Sequence, residues 1–394
     1  KQEKGRKLWL WAALTYDFSV LIFFKYTGLA GALPLGISFY TFQALSYTID
    51  VYQGKIKATH DIVAFFAYIS FFPQLVAGPI ERATHLLPQF LRPRNFDCDL
   101  ALDGIRQMLW GFFKKVVVAD NCALFVNGVF ENYQTLDGST LFLGAFFFTI
   151  QIYGDFSGYS DIAIGCARLF GIDLMQNFKY PYFSRDIAEF WRRWHISLTT
   201  WFRDYIYIPL GGSRAGKWKS FRNTLVIFLV SGFWHGANWT FVAWGAYHAL
   251  LFLPLLLLGQ NRRYRDSVAE NSFLPSVKEL TQMGATFLLV LLGWILFRSE
   301  DISQAAVYLE RMFNVSLFSA PQLVGLGFGQ LLLKKCFFFT ALMFIVEWIG
   351  RKQAHGLMIE DLSLPVRYVI YTVLLIIIYG FDASNPQGFI YFQF

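Results

Sequence analysis

Residues 224–258 read TLVIFLVSGFWHGANWTFVAWGAYHALLFLPLLLL, a stretch of almost entirely apolar side chains. A helix needs about 20 apolar residues to cross the hydrocarbon core of a membrane, which is about 30 Å thick. This stretch is too long for a single crossing, and Gly236, Ala237 and Asn238 mark the expected break inside it. It predicts an all-α polytopic membrane protein.

The composition of the whole chain agrees with this fold class. Of the 394 residues, 55% are hydrophobic and only 15% are charged, whereas a soluble domain carries about 25% charged residues. Aromatic residues make up 19% of the chain, and Trp and Tyr favour the membrane–water interface. Because no linker or repeat divides the sequence, we expect residues 1–394 to form a single membrane domain.

Further membrane helices are expected along the chain. Comparable apolar spans lie at 8–30, 105–130, 141–170, 281–298, 331–349 and 366–381. Residues 33–53 and 61–80 are also apolar but contain Pro and Gly, which predicts kinked, re-entrant or half-spanning helices. We expect roughly ten membrane helices in total. The chain starts with KQEKGRK and without Met, so an N-terminal portion is expected to be missing.

Most of the net charge of +7 lies in one segment, Lys179 to Arg222, which holds nine basic and three acidic residues. Such a block marks the cytoplasmic side of a membrane protein, and the apolar spans around it argue against nucleic-acid binding. Within it, residues 186–208 carry aromatics at helical spacing on one side and Arg on the other. We therefore predict that 186–222 form an amphipathic interfacial helix followed by a basic cytoplasmic loop.

His235 is the sharpest candidate for chemistry. It lies thirteen residues beyond the basic boundary at Arg222, which is roughly 20 Å of helix. An ionisable residue at that depth is a functional-site hypothesis by default, although a neutral histidine that only links helices is the alternative. A neutral imidazole can take the proton of an attacking hydroxyl. Asn238, the indole N–H of Trp234 and a backbone amide are candidate donors to the oxyanion that forms.

His195 and two buried acids are weaker candidates. His195 lies at the edge of the predicted amphipathic helix, where it is either an interfacial histidine or a second residue of the His235 site. Asp155 and Asp161 interrupt an apolar span, so they either orient a catalytic group or support the structure; we favour support. The four cysteines have no paired spacing, and no metal site, GxSxG, HExxH or Walker motif is predicted.

Several stretches of this sequence resemble the membrane-bound O-acyltransferase (MBOAT) family, most closely its bacterial branch that acetylates alginate and peptidoglycan. The stretches are Phe190-Trp-Arg-Arg-Trp-His-Ile-Ser-Leu-Thr-Thr-Trp201, Leu229-Val-Ser-Gly-Phe-Trp-His-Gly-Ala-Asn-Trp239, Pro34-Leu-Gly-Ile-Ser-Phe-Tyr40, Gly78-Pro-Ile80, Asp155-Phe-Ser-Gly-Tyr-Ser-Asp161, Phe202-Arg-Asp-Tyr205 and Leu210-Gly-Gly212. The resemblance covers nearly the whole chain. Relatives carry additional N-terminal helices.

The resemblance implies a fold and a site. The helices would form a ring around a thin central funnel or tunnel. His235 matches the histidine regarded as catalytic, and His195 matches a second family histidine, where many members have Asn. An acyl group would pass from a cytoplasmic donor to an acceptor outside the cell. The protein would be a multi-pass protein of the bacterial inner membrane.

The resemblance also implies donors and partners. The donor substrate would be acetyl-CoA or an acyl-carrier protein thioester, with no bound cofactor. Its phosphates, or an acidic carrier, would contact a set of basic residues, namely Arg192, Arg193, Arg203, Arg214 and Lys217. An extracytoplasmic SGNH-type acetyltransferase would be the partner, and alginate, peptidoglycan, cellulose or another polysaccharide the acceptor. A transporter or flippase and a non-catalytic scaffold of such a complex are the alternatives.

Overall fold

The computed structural model describes residues 2–27, 29, 34–322, 330–381 and 388–390. Within these ranges all regular structure is helical and there are no strands, which confirms the all-α prediction. The α-helices are α1 (Gln2–Tyr26), α2 (Ile37–Tyr52), α3 (Ile62–Ile69), α4 (Ala83–Phe90), α5 (Cys98–Phe112), α6 (Asp120–Glu131), α7 (Gly138–Leu169), α8 (Ile187–Arg193), α9 (Ile196–Phe202), α10 (Lys217–His235), α11 (Trp239–Leu257), α12 (Val277–Arg298), α13 (Ile302–Met312), α14 (Gln330–Ile349) and α15 (Leu364–Gly380).

Shorter helical segments lie between these α-helices in the described chain. Phe113–Ala119 is a π-helical segment that joins α5 to α6 without a break, and Arg203–Tyr207 is a second π-helical segment that continues α9. Three 3-10 turns lie at Pro181–Phe183, Gly212–Ala215 and Val315–Phe318. The long helix α7 packs against α5, the first π segment and α6, and most of its side chains are buried. It also packs against α12 and α13.

Among the described residues, three helices are long and apolar enough to cross a membrane by length and composition, namely Glu3–Tyr26 within α1, and α11 and α12. The shorter helix α15 is also apolar. The predicted spans 141–170, 281–298, 331–349 and 366–381 each match one helix within four residues at either end. The span 8–30 matches α1, which begins six residues earlier, and the span 105–130 runs from within α5 through the first π segment into α6. Residues 28 and 30 of the predicted span 8–30, and residue 33 of the span 33–53, lie outside the described residues. The ring around a funnel stays a prediction.

The predicted break inside 224–258 is confirmed, because α10 ends at His235 and α11 begins at Trp239. The two helices run back along each other as an antiparallel hairpin. A Cβ atom at Gly232 would lie 2.2 Å from the Phe241 carbonyl oxygen, and one at Gly245 would lie 2.3 Å from that of Phe228. Only glycine permits this approach of the two backbones, a common device for helix packing in membranes.

The segment 186–208 differs from its prediction. In place of one continuous amphipathic helix, the structure has α8 and α9, separated at Trp194 and His195. Four of its aromatic side chains are buried in the protein core rather than presented on a surface: Phe190, Trp194, Trp201 and Phe202 are at most 3% exposed. The helical spacing of the aromatics was correct for each half, but tertiary contacts break the segment between the halves.

Candidate functional site

The turn between α10 and α11 places His235 at the closed end of the helical hairpin. His235 is the last residue of α10, and Gly236 follows it in an extended conformation. The Asn238 side-chain oxygen accepts a hydrogen bond of 3.0 Å from the Thr240 amide and so caps α11. The Asn238 amide nitrogen donates to the Glu300 carbonyl. These contacts give Asn238 a capping role, and its predicted role as an oxyanion donor stays a prediction.

Aromatic rings surround the His235 imidazole, which is only 5% exposed. The ring centroids of Trp234, Trp244 and Phe297 lie 4.8, 5.1 and 5.0 Å from the imidazole centroid, each in an edge-on arrangement. Such edge-to-face contacts are favourable and directional. They fix the plane of the imidazole, which is what a proton-accepting group needs if it is to meet a substrate hydroxyl in a defined geometry.

A tight turn between α8 and α9 places His195, which is 2% exposed. The turn is held by Asn177, whose backbone carbonyl accepts from the Ile196 amide at 2.9 Å. The Ser197 hydroxyl donates to the Asn177 side-chain oxygen at 2.9 Å and accepts from the Ile80 amide at 2.9 Å. The Gly78-Pro-Ile80 stretch therefore meets the His195 stretch through one serine. No local pattern in the sequence indicates this role of Asn177.

His195 carries two free-energy costs. Its backbone is left-handed, with φ of 44°, which costs a non-glycine residue about 1–3 kcal/mol, although histidine tolerates this region better than most residues. Among the described residues, neither of its buried ring nitrogens has a hydrogen-bond partner, and an unsatisfied buried polar group costs about 1–3 kcal/mol. Its ring contacts are apolar, the nearest being Phe156 at 4.6 Å. Uncompensated costs at one residue point to function.

One cavity of about 510 Å³ is lined by both His195 and His235. The lining residues from α10 are Thr224, Ile227, Phe228, Ser231 and His235. Their spacing of three and four residues defines a single face of the helix. From Thr224 to His235 this face extends about 16 Å along the helix axis. The two histidines therefore lie on one elongated cavity, as expected for two residues of the same site.

The polarity of the cavity changes along its length. Three exposed arginines, Arg192, Arg203 and Arg262, are among the residues that line it and are called the mouth below. Arg203 also pairs with Asp204 at 2.7 Å. Arg262 follows the C-terminal end of α11, which the antiparallel hairpin brings beside the N-terminal end of α10. Buried aromatic rings, among them Trp244 and Trp294, line the part near His235. The cavity therefore suits a ligand with an anionic end and a long, less polar arm.

The five basic residues predicted to bind the donor separate into three groups. Arg192 and Arg203 belong to the mouth. Arg192 also donates a hydrogen bond of 2.6 Å to the Asn261 carbonyl, which connects α8 to the loop after α11. Arg193 is buried and pairs with Glu189 at 2.7 Å, so it is committed to the structure. Arg214 and Lys217 are exposed but are not among the described residues that line the cavity. Sequence reasoning missed Arg262.

Trp234 does not line this cavity in the described chain, although its ring lies between the two histidines. Its centroid is 6.4 Å from that of His195 and 4.8 Å from that of His235. It also stacks on Phe42 at 5.3 Å. These contacts give Trp234 a packing role beside both imidazoles. Its predicted role as an oxyanion donor stays a prediction.

Asp155 and Asp161 belong to a separate group of buried charges. This lysine–carboxylate cluster consists of Lys114, Lys115, Asp120, Asp155, Asp161 and Glu347. Lys114 lies 2.6 Å from Asp161 and 3.8 Å from Glu347. Lys115 lies 2.7 Å from both Asp120 and Asp155. The two lysines lie in the π-helical segment Phe113–Ala119, and neither aspartate is among the described residues that line the cavity. These contacts favour structural support.

Residues 53–273 match the sequence profile of MBOAT, the membrane-bound O-acyltransferase family. The matched region contains both histidines, the mouth and the hairpin. The chain belongs to the membrane-bound O-acyltransferase family. Its helical fold and the shared cavity at His195 and His235 are therefore features of a family member, and the resemblance described from the sequence is confirmed.

Individual relatives narrow the branch of the family. The chain is 39% identical to a probable alginate O-acetylase of Pseudomonas aeruginosa, over 84% of this chain and 66% of that protein. It is 35% identical to a peptidoglycan O-acetyltransferase of Helicobacter pylori, over 79% of this chain and 66% of that protein. A teichoic acid D-alanyltransferase of Bacillus subtilis is 28% identical over 68% of this chain and 69% of its own length. The chain spans about two thirds of the length of these relatives.

Proposed function

We propose that this protein is an O-acyltransferase that takes an acyl group, in the first instance acetyl, from a cytoplasmic thioester donor for O-acetylation of a cell-envelope polysaccharide. The observation that carries the proposal is the single cavity that joins two buried histidines to a mouth of three arginines. Family membership and relatives named for acetyl transfer to alginate and peptidoglycan support the same chemistry.

In this proposal His235 is the general base. As the acceptor oxygen attacks the thioester carbonyl, the imidazole takes the hydroxyl proton. The tetrahedral intermediate then expels the donor sulfur, which takes the proton back from the imidazolium. One C–O bond forms and one C–S bond breaks, so the products are an O-acyl ester and a free thiol. The imidazole ends the cycle neutral.

The shape of the cavity supports a donor with a flexible arm. The face of α10 between Thr224 and His235 separates the outer end of the cavity from the base by about 16 Å. Acetyl-CoA and acyl-carrier proteins both present their thioester at the end of an extended phosphopantetheine chain. The mouth arginines would hold phosphate oxygens through charge-assisted hydrogen bonds, while the arm reaches the aromatic end. Transfer would go to the polymer directly or through an SGNH-type extracytoplasmic partner.

The decisive experiment uses the purified protein in liposomes with labelled acetyl-CoA or an acetylated carrier protein. His235→Ala should lower acyl transfer by about 10²–10⁴-fold, the usual contribution of a general base, while the protein still inserts and folds. His60→Ala is the matched control, because His60 is exposed on a loop and should leave activity unchanged. Normal turnover by His235→Ala would reject the assignment. Label crossing the bilayer without ester formation would instead favour a transporter.

A further inference from the structure

The C-terminal end of α10 receives side chains from α1. The last four carbonyls of a helix have no partner inside that helix. The Lys25 ammonium donates to the Trp234 carbonyl at 2.7 Å, and the Tyr26 hydroxyl donates to the Phe233 carbonyl at 2.7 Å. These are the two carbonyls just before His235. Two adjacent residues of α1 therefore hold the final turn of the helix that carries the proposed base.

Ring contacts reinforce the two hydrogen bonds. The Lys25 nitrogen lies 5.5 Å from the centroid of the Trp234 ring, within the range of a cation–π interaction. The Tyr26 ring stacks on Phe233 at 4.8 Å with an interplanar angle of 8°. Each α1 residue thus contacts both the backbone and the side chain of its partner. This double contact fixes the rotation of the last helical turn, and with it the direction of the His235 side chain.

A lysine at this place needs an explanation, because α1 is apolar enough to span a membrane. Lysines near the end of a membrane helix extend to the interface, but Lys25, in the last turn of α1, instead donates to the carbonyl end of α10. Here the negative end of the α10 dipole stabilises the cation. In transporters the C-terminal ends of broken helices coordinate the transported ion. In this protein the chain's own ammonium group binds at such an end, which serves positioning rather than ion coupling.

We infer that Lys25 and Tyr26 are positioning residues for His235, acting by holding the C-terminal carbonyls of α10. The inference rests on the proposed function, in which His235 is the base. It concerns residues outside the region 53–273 that matches the family profile. Neither residue is assigned a chemical step, since both act through the backbone of α10.

The test compares Lys25→Met, Lys25→Arg and Tyr26→Phe in the full chain, using acetyl transfer in liposomes and the thermal midpoint. Lys25→Met should lower kcat about tenfold or more, with the donor KM within twofold of wild type. Lys25→Arg, which keeps the charge and donors, should recover most of the loss, and Tyr26→Phe should lower kcat about threefold. Lys7→Met is the control, because Lys7 is an exposed lysine of the same helix.

A second readout does not depend on turnover. The rate of His235 carbethoxylation by diethyl pyrocarbonate reports the position of the imidazole, and Lys25→Met should change it at an unchanged thermal midpoint. Wild-type kcat and labelling rate in Lys25→Met would overturn the inference. Equal losses in Lys25→Met and Lys25→Arg together with a lowered thermal midpoint would overturn it too, because they indicate general destabilisation. If wild type itself transfers no acyl group, the proposed function fails, and the labelling rate alone decides the positioning role.

Discussion

The lysine–carboxylate cluster and the cavity at His195 are both polar regions within an apolar protein, but they differ in how their buried polar groups are hydrogen-bonded. In the cluster, buried charges are paired: the Lys114 ammonium also donates to Ser157 at 2.9 Å, and the Tyr153 hydroxyl donates to Glu347 at 2.8 Å. Around the cavity, the nitrogens of His195 have no such partner in the described chain. Buried polar groups that pair with one another support the fold, whereas a buried polar group without such a partner on a cavity wall is available to a ligand.

The strongest test of this comparison is Lys114→Met. It should destabilise the protein by about 3–5 kcal/mol, because it removes the lysine partner of the buried Glu347 and of the partly buried Asp161. Thermal unfolding in detergent and the yield of monodisperse protein would measure the loss. The control is Lys334→Met on α14, where the lysine is exposed and the change should stay within about 0.5 kcal/mol.

The cluster is expected to matter for stability and not for chemistry. The fraction of Lys114→Met that remains folded should therefore transfer acyl groups at close to the normal rate per molecule. A stable Lys114→Met protein without activity would reverse the distinction between the two regions and assign the cluster to the reaction.

The second test is His195→Ala, which should leave the protein folded but lower turnover by about 10²-fold if the imidazole takes part in the reaction. Alanine is strained in the left-handed region, so about 1 kcal/mol of stability should also be lost. His195→Asn separates the two effects, because Asn tolerates that backbone conformation. It should unfold at the wild-type temperature. Unchanged turnover in both variants would make His195 a purely structural residue.

Much of this arrangement was predictable from local patterns. The spans follow from runs of apolar residues, and the break at Gly236 to Asn238 follows from residues that favour turns and caps. The burial of His235 follows from its distance to the basic boundary. Asp155 and Asp161 were expected to support the structure because an apolar span can hold acids only when they are satisfied, and their lysine contacts agree.

The remaining features depend on contacts between residues that are distant in sequence. No residue next to His195 in the sequence favours the break between α8 and α9. The break is stabilised by Asn177, whose carbonyl accepts a hydrogen bond from the Ile196 amide. Lys25 lies in an apolar N-terminal helix, and its partner Trp234 is 209 residues away. Arg262 lines the mouth only because the hairpin returns the end of α11 to the start of α10. A single sequence contains no signal for any of these contacts.

The smallest expected effect concerns the mouth. Exposed charges each contribute about 0.2–1 kcal/mol, so Arg203→Gln combined with Arg262→Gln should raise the donor KM roughly fivefold and leave kcat unchanged. Lys217→Gln is the control, because Lys217 is equally basic and exposed but is not among the described residues lining the cavity. The effect should shrink in 1 M salt, where the screening length is about 3 Å.

A donor without phosphates makes this last test specific. S-acetylpantetheine carries the thioester arm of acetyl-CoA but no anionic end. It should therefore bind wild type more weakly than acetyl-CoA does, and its KM should be the same for wild type and for the double variant. The variant-to-wild-type KM ratio is measured once with acetyl-CoA and once with S-acetylpantetheine. The coupling free energy between the arginines and the phosphates is RT times the logarithm of the quotient of these two ratios, as in a double-mutant cycle. A KM increase that persists with S-acetylpantetheine would mean that the arginines shape the mouth rather than bind phosphate. The anionic end of the donor would then have to bind elsewhere on the basic segment that ends at Arg222.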